Sequence, residues 1–306
     1  MKLSDAVVAE LTVQPGKPAA LNRRSTTQTK ADWLGPIGYA TPGEIAGRDL
    51  ESFRADLEHG QDLLYANGTW AQLIVLQGLD TAGKDGTIKH VVSGVNPQGC
   101  QVVSFRQPSG LELAHDFLWR CVTSLPERGR IGIFNRSYYE EVLVCRVHPE
   151  LLAAERLPGG ADPDKRFWEE RYEDINCFER HLVRSGTQVV KIFLHVSKDE
   201  QKRRLLKRLD DPHKRWKFSP ADLAERRYFD SYRQAYEEAI TATSTPWAPW
   251  YVVPADHKLV LHALVGGIVV HELDRLRLRP PSLSDEHLAE LAKARQALEA
   301  ENHPKG

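Results

Sequence analysis

The sequence predicts an α/β protein, a parallel sheet with helices on both faces. Three observations carry that expectation. Short continuous apolar runs, LIVLQ (73–77), QVVSF (101–105), IGIF (131–134), VVKIFLHV (189–196) and WYVV (250–253), read as strands buried on both faces. Helical patterns separate them, with the crossover lengths that parallel strands need. The first run leads directly into a glycine-rich loop, GLDTAGKDGT (78–87), with a helix expected after it.

With 306 residues, 41% of them hydrophobic, the chain suits one large domain with arms better than two compact domains. Residues 1–42 read as an irregular arm, with Pro15, Pro18, Pro36, Pro42 and a Ser/Thr-rich patch near 25–29. The main domain is expected over 43–280. A helical period opens it at Glu44, placing Leu50, Phe53, Leu57 and Leu64 on one face. After Asp256 an apolar helix runs to about Leu278, where Pro280-Pro281 stop it. Residues 281–306 hold a last helix and a tail. Leu288, Leu291, Ala292, Arg295 and Leu298 share a face there, which predicts packing on the body or on another subunit.

Lys plus Arg number 41 against 42 acidic residues, so any cationic function is local. Cys100, Cys121, Cys145 and Cys177 form no CxxC pair, which speaks for reduced thiols and against a metal knuckle. No apolar run reaches the roughly 18 residues of a membrane helix. The N-terminus lacks the basic head and apolar centre of a secretory signal. These features predict a soluble cytoplasmic protein without a membrane partner.

The spacing GxxxxGK from Gly78 to Lys84 is that of a Walker A phosphate loop, after a strand as required. Gly78, Ala82, Gly83, Asp85, Gly86 and Thr87 form the candidate cradle. Glycines let backbone N–H groups converge on phosphate oxygens, Lys84 brings a point charge to the transferred group, and the helix N-terminus adds its dipole. Asp85 stands where Ser or Thr ordinarily holds Mg²⁺; Thr87 replaces that hydroxyl only if the loop geometry differs. A carboxylate inside the loop repels phosphate unless it binds metal or takes a proton. Asp80 therefore reads as a Mg²⁺ ligand or as a base toward the acceptor phosphate. Lys89, further along the same helix, joins the candidate anion-binding cations.

The run RIGIFNRSYYEE (130–141) has the form of a Walker B strand. Asn135 holds the usual Asp position and can orient water on a metal without adding charge. Arg136 would face the phosphates, as a charged residue just past a buried strand end. Glu140 or Glu141 could restore carboxylate charge one helical turn on, the competing reading being a solvated helix face.

Between Lys198 and Lys217 nine cations face four acids. This stretch, about 198–218, follows the fourth strand and precedes a helix start at Ser219, Pro220 and Asp222. It reads as a lid that closes on phosphates, with Arg203, Arg204, Lys207, Arg208 and Lys217 as candidate ligands. The plainer alternative is an amphipathic helix with Leu205, Leu206 and Leu209 inside. No nucleic-acid-binding module is legible, so no nucleic-acid partner is expected. Tyr228, Tyr232 and Tyr236 read as a core stripe, and Trp216 as a candidate for base contact.

Four segments together resemble one family: GLDTAGKDG (78–86), FNRSYYEE (134–141), KRRLLKRLDDPHKRWKFS (202–219) and TSTPWAPWYVVPADHK (243–258) look like the signatures of polyphosphate kinase 2. The resemblance covers roughly 45–275. It implies a thymidylate-kinase-like P-loop kinase core with a helical lid, usually in homo-oligomers, and reversible phosphoryl transfer between inorganic polyphosphate and nucleotides. It places the family's Walker A Asp and Lys at Asp80 and Lys84, and its Walker B Asp-Arg pair at Asn135-Arg136. The Asn, with YYEE and VNPQG (95–99), resembles the subgroup that accepts AMP as well as ADP. The implied cofactor is Mg²⁺, with Mn²⁺ as a substitute; the implied nucleotides are adenine first, guanine second. Polyphosphate carries many charges, so its channel needs cations, which the lid and Arg106 could supply. The competing readings are an ATP-dependent nucleoside monophosphate kinase and a regulatory nucleotide-binding protein. The latter would need NKxD or a well-placed DxxG, and neither is present where it would be needed.

Overall fold

The computed structural model describes residues 3–27, 42–158, 160, 163–213 and 215–301. Its strands are β1 (Thr12–Val13), β2 (Ala71–Gly78), β3 (Cys100–Ser104), β4 (Ile131–Asn135), β5 (Thr187–His195) and β6 (Trp250–Pro254). They form one sheet in the order β1-β6-β5-β2-β4-β3, parallel throughout except for β1 against β6. The five apolar runs are β2 to β6. Every residue of β2 and β6 is buried, which is why both read as unbroken apolar stretches.

Helices cover both faces, with the short α4 (Trp119–Val122) and α8 (Pro220–Glu225) in the connections. On one, α2 (Pro42–Asn67) and α3 (Lys84–Val91) pack against α10 (Lys258–Arg275), burying Leu50, Phe53, Leu57 and Leu64 as their spacing requires. On the other, α5 (Glu140–Val147), α6 (Lys165–Arg184) and α9 (Phe229–Thr243) pack together over the sheet. Among the described residues no helix is long and apolar enough to cross a membrane.

The N-terminal segment differs from the irregular arm the prolines suggest. Ser4 caps α1 (Asp5–Leu11), whose Val7, Val8 and Leu11 are buried, and β1 follows at the sheet edge. Beyond it, Glu237 accepts the Ala20 and Leu21 N–H groups, both at 2.7 Å, and Thr241 accepts that of Ala19 at 2.9 Å. A two-residue strand has no periodicity to read, and its partners lie more than 200 residues away. Residues 28–41 of the expected arm, Lys214, and the tail 302–306 lie outside the described residues. The last helix, α11 (Asp285–Glu301), buries no residue: Leu288, Leu291 and Leu298 are about half exposed or more, so it does not pack on the body.

A charge pair lies in the core behind the site. Lys191 of β5 is fully buried and donates to Glu179 of α6 at 2.6 Å, to the Tyr139 hydroxyl at 3.0 Å and to the Thr243 carbonyl at 2.6 Å. Glu179 also accepts from Tyr138 and Tyr139. Removing one partner strands the other charge in apolar surroundings. Lys191→Met is therefore expected to cost about 3–5 kcal/mol of stability in denaturant unfolding. A loss below about 1 kcal/mol would mean that Glu179 takes up a proton at no cost.

Candidate active site

The site forms where β2 and β4 end side by side. Their register pairs Leu76 with Asn135, so the glycine-rich loop and the FNRSYY turn leave the sheet together. Gly78 permits the loop to fold back: a Cβ there would meet the Ala82 Cβ at 3.0 Å and the Leu194 Cβ at 3.1 Å. Gly83, the N-cap of α3, has φ +112°, which L side chains rarely adopt. Thr81 has φ 61° with a β-branched side chain, a conformation costing about 1–3 kcal/mol that the surroundings must impose.

Lys84 opens α3 and curls back over its own loop, donating to the Gly78 carbonyl at 2.5 Å and weakly to that of Leu79 at 3.4 Å. Burial and then the Arg136 charge push its ammonium below the ordinary lysine range, while Glu140, Asp80 and Asp85 pull it back. These side chains therefore act on one another across a single neighbourhood. Arg136 is exposed and has φ 65°, and its N–H bonds the Leu76 carbonyl at 3.2 Å. Beneath it, Gln77 donates to Ser137 at 3.1 Å and accepts from Tyr236, a buried polar floor under both loops.

Asn135 donates its amide to Asp85 at 2.8 Å and to Ser104 at 3.4 Å. A carboxylate at position 135 would instead face the Asp85 carboxylate, so the Asn suits a loop whose Lys is followed by Asp. Three further oxygens, Asp80 Oδ2, Thr81 Oγ1 and Thr87 Oγ1, are buried without a hydrogen-bond partner among the described residues. Such atoms cost about 1–3 kcal/mol each unless something meets them. Hard oxygen donors around a phosphate loop fit a Mg²⁺-type cation and phosphate.

A cleft of about 470 Å³ opens beside Arg136, its walls including Arg106, Arg120, Glu140 and Tyr232. Arg120 had no signal in the sequence: it donates to the Arg106 carbonyl at 2.7 Å and lies over the Phe105 ring. Glu141 lies away from the phosphate loop, its carboxylate grouped with Cys145 and Glu155. It is buried in the far wall, bonded by Arg171 at 3.0 Å, and burial beside Glu155 pushes its carboxyl up to about 8. Helical spacing turned Glu140 toward Lys84 and its neighbour away.

The basic stretch begins as α7 (Lys198–Asp210), and its inner face is Gln201, Arg204 and Leu205, so that of the three leucines the plainer alternative put inside only Leu205 is there. Leu206 and Leu209 are exposed. Gln201 donates to the Asp80 carbonyl at 3.1 Å. Arg204 departs from its expected role as an open phosphate ligand: it is buried under the loop, bonded to carbonyls and to Glu200. Arg203 is exposed and paired with Glu200 at 2.5 Å; Lys207, Lys89 and Arg106 are exposed, and Arg208 is half-buried. The Lys217 side chain lies outside the described residues. Of the tyrosine stripe only Tyr236 is core, Tyr232 lining the cleft and Tyr228 being exposed. Trp216 is exposed, its indole N–H on the His213 carbonyl at 3.0 Å.

The model of the family described as polyphosphate kinase 2 matches residues 45–278, the span containing every one of these features. The chain belongs to the polyphosphate kinase 2 family. It is 52% identical over 238 residues to an ADP-polyphosphate phosphotransferase of Rhodopseudomonas palustris, covering 78% of this chain and 82% of the relative. It is 48% identical over 225 residues to an AMP/ADP-polyphosphate phosphotransferase of Meiothermus ruber, covering 74% and 80%. The crystal structure of polyphosphate kinase 2 from Arthrobacter aurescens superposes with a TM-score of 0.84 at 38% identity, covering 97% of this chain and 99% of that one. For this polyphosphate kinase 2 chain, then, the P-loop kinase-like fold predicted from its strands and loop is the fold observed.

Proposed function

We propose that this chain transfers phosphoryl groups reversibly between inorganic polyphosphate and AMP or ADP. The observation that carries the reading is the convergence of Lys84, Arg136, Asp80 and Glu140 where β2 and β4 end, beside a cleft lined by Arg106, Arg120 and Arg136 and by carboxylates such as Glu140 and Glu225. A loose phosphoryl transition state asks for positioning and charge compensation rather than covalent chemistry. Lys84 supplies charge to the transferred group from the loop side, and Arg136 from the cleft side. Arg106 and Arg120 orient the acceptor's phosphate, and the exposed Lys207 and Lys89 meet the long donor. Asp80, Thr87 and the Asp85–Asn135 pair would hold Mg²⁺, or Mn²⁺ in its place, which supplies charge neutralisation to the bridging oxygens.

The relatives' names support both acceptors, AMP and ADP. Time courses from AMP and polyphosphate are expected to show ADP rising first and ATP following, with no second enzyme present. Inert AMP, or ADP that is never phosphorylated, would remove the dual-acceptor claim. Consumption of ATP instead of polyphosphate with AMP would replace the reading by a nucleoside monophosphate kinase. The same reading includes a cytoplasmic homo-oligomer, in which the apolar stripe of α11 meets a second copy. Sedimentation of a chain ending at 280 as the same oligomer would remove that role for the helix.

A further inference from the structure

We propose that Arg204 is a positioning residue that clamps the phosphate loop into its working shape, and that it is not a polyphosphate ligand. The inference rests on the phosphoryl-transfer reading above. An arginine has five N–H donors in a fixed fork. Here Nε donates to Glu200 at 2.7 Å, Nη1 to the Thr81 carbonyl at 3.0 Å and the Ala82 carbonyl at 2.7 Å, and Nη2 to the Ala255 and Asp256 carbonyls. The donors are used, and the residue is 7% exposed, so a polyanion has nothing left to bind.

What the guanidinium touches explains what it does. Thr81 and Ala82 are the two residues before Gly83 and Lys84, and Thr81 sits in the left-handed region. In a trans peptide the C=O and N–H point in opposite directions. Drawing the Ala82 carbonyl onto Arg204 therefore turns the Gly83 N–H away from it. Carbonyls facing the fork are also carbonyls kept from facing phosphate, where they would repel it. The other side of the fork is anchored independently. Asp256 accepts the Ser197 N–H at 2.8 Å and the Thr26 hydroxyl at 2.8 Å, so the β6–α10 turn is fixed to the start of α7 and to the N-terminal segment. Arg204 thus transmits the position of three elements to one loop.

Kinetics of Arg204→Met, Arg204→Lys and Glu200→Gln against short and long polyphosphate test this. Lys keeps the charge but cannot span the carbonyls. Both Arg204 variants are expected to lose about 100-fold in kcat, the scale of a roughly 1 Å misplacement, with polyphosphate KM and its salt dependence unchanged at either length. Glu200→Gln, which leaves the fork in place but loosens it, is expected to lose about tenfold in kcat with the same KM pattern, and it carries the test if the Arg204 variants fail to fold. Lys207→Ala is the comparator, raising KM for long chains only. Independently of activity, amide exchange over residues 78–88 should be at least about tenfold faster in each variant than in the wild type without nucleotide. A KM rise confined to long polyphosphate, near-normal kcat in Arg204→Lys, or unchanged exchange would overturn the clamp. A wild type without polyphosphate turnover would remove the functional reading and leave the exchange test standing.

Discussion

Lys84→Ala is expected to lower kcat by about 10²–10³-fold, the cost of one lost electrostatic contact to a developing charge. The fold should survive, because Lys84 is half-buried at the first turn of α3 and bonds only loop carbonyls. Its ammonium donates to the Gly78 and Leu79 carbonyls, for which phosphate oxygens would offer full charges in exchange. Single-turnover measurement of the phosphoryl step, with circular dichroism as the fold control, checks the result. Near-normal kcat in a folded variant would mean that the loop does not hold the transferred group.

Asp80→Asn should cost on the order of 10²-fold in kcat, the scale of metal-assisted charge neutralisation, and should also move the Mg²⁺ dependence to higher concentration. The carboxylate already stands in the loop with one buried oxygen unmet, which an amide would reproduce in shape but not in charge. Mg²⁺ titrations of both proteins at saturating nucleotide decide it. A titration superimposable on the wild type would leave Asp80 as a base or a shape-setting residue, without a metal role.

Much of this was legible in the sequence for a physical reason. Strands buried on both faces are mostly apolar, so β2, β4, β5 and β6 announce themselves as apolar runs despite buried Gln72, Gln77 and Lys191, whereas β3, expected to be buried, is partly exposed along its length. A phosphate loop favours glycine where φ is positive and where the chain passes close to its neighbours, as at Gly83 and Gly78, while Thr81 at φ 61° has no such signal. Asp80 and Lys84 were singled out by the spacing of the glycine-rich loop, and Arg136 by its position just past a strand end. What stayed hidden depends on direction rather than composition. Arg203 and Arg204 are adjacent and identical in chemistry, yet one is exposed and the other lies beneath the loop. Glu140 and Glu141 divide in the same way between the phosphate loop and Arg171. A charge count over a stretch records the cations but not the face of the helix each occupies. Arg120 and Asp256 were missed because each works through contacts to backbone from a distant element.

The anchoring of the amino end has a consequence for how the chain is made. Val13 bonds a residue 231 positions later, and Ala19 one 222 positions later. A ribosome adding about 5–20 residues per second needs roughly ten to fifty seconds to supply those partners. For that interval the Val13 carbonyl and the Ala19, Ala20 and Leu21 N–H groups are left to water, and α1 lacks the later-made surface that buries Val7, Val8 and Leu11. Residues 5–21 therefore settle only after β6 and α9 have been made, and their order is a record that synthesis has passed residue 251.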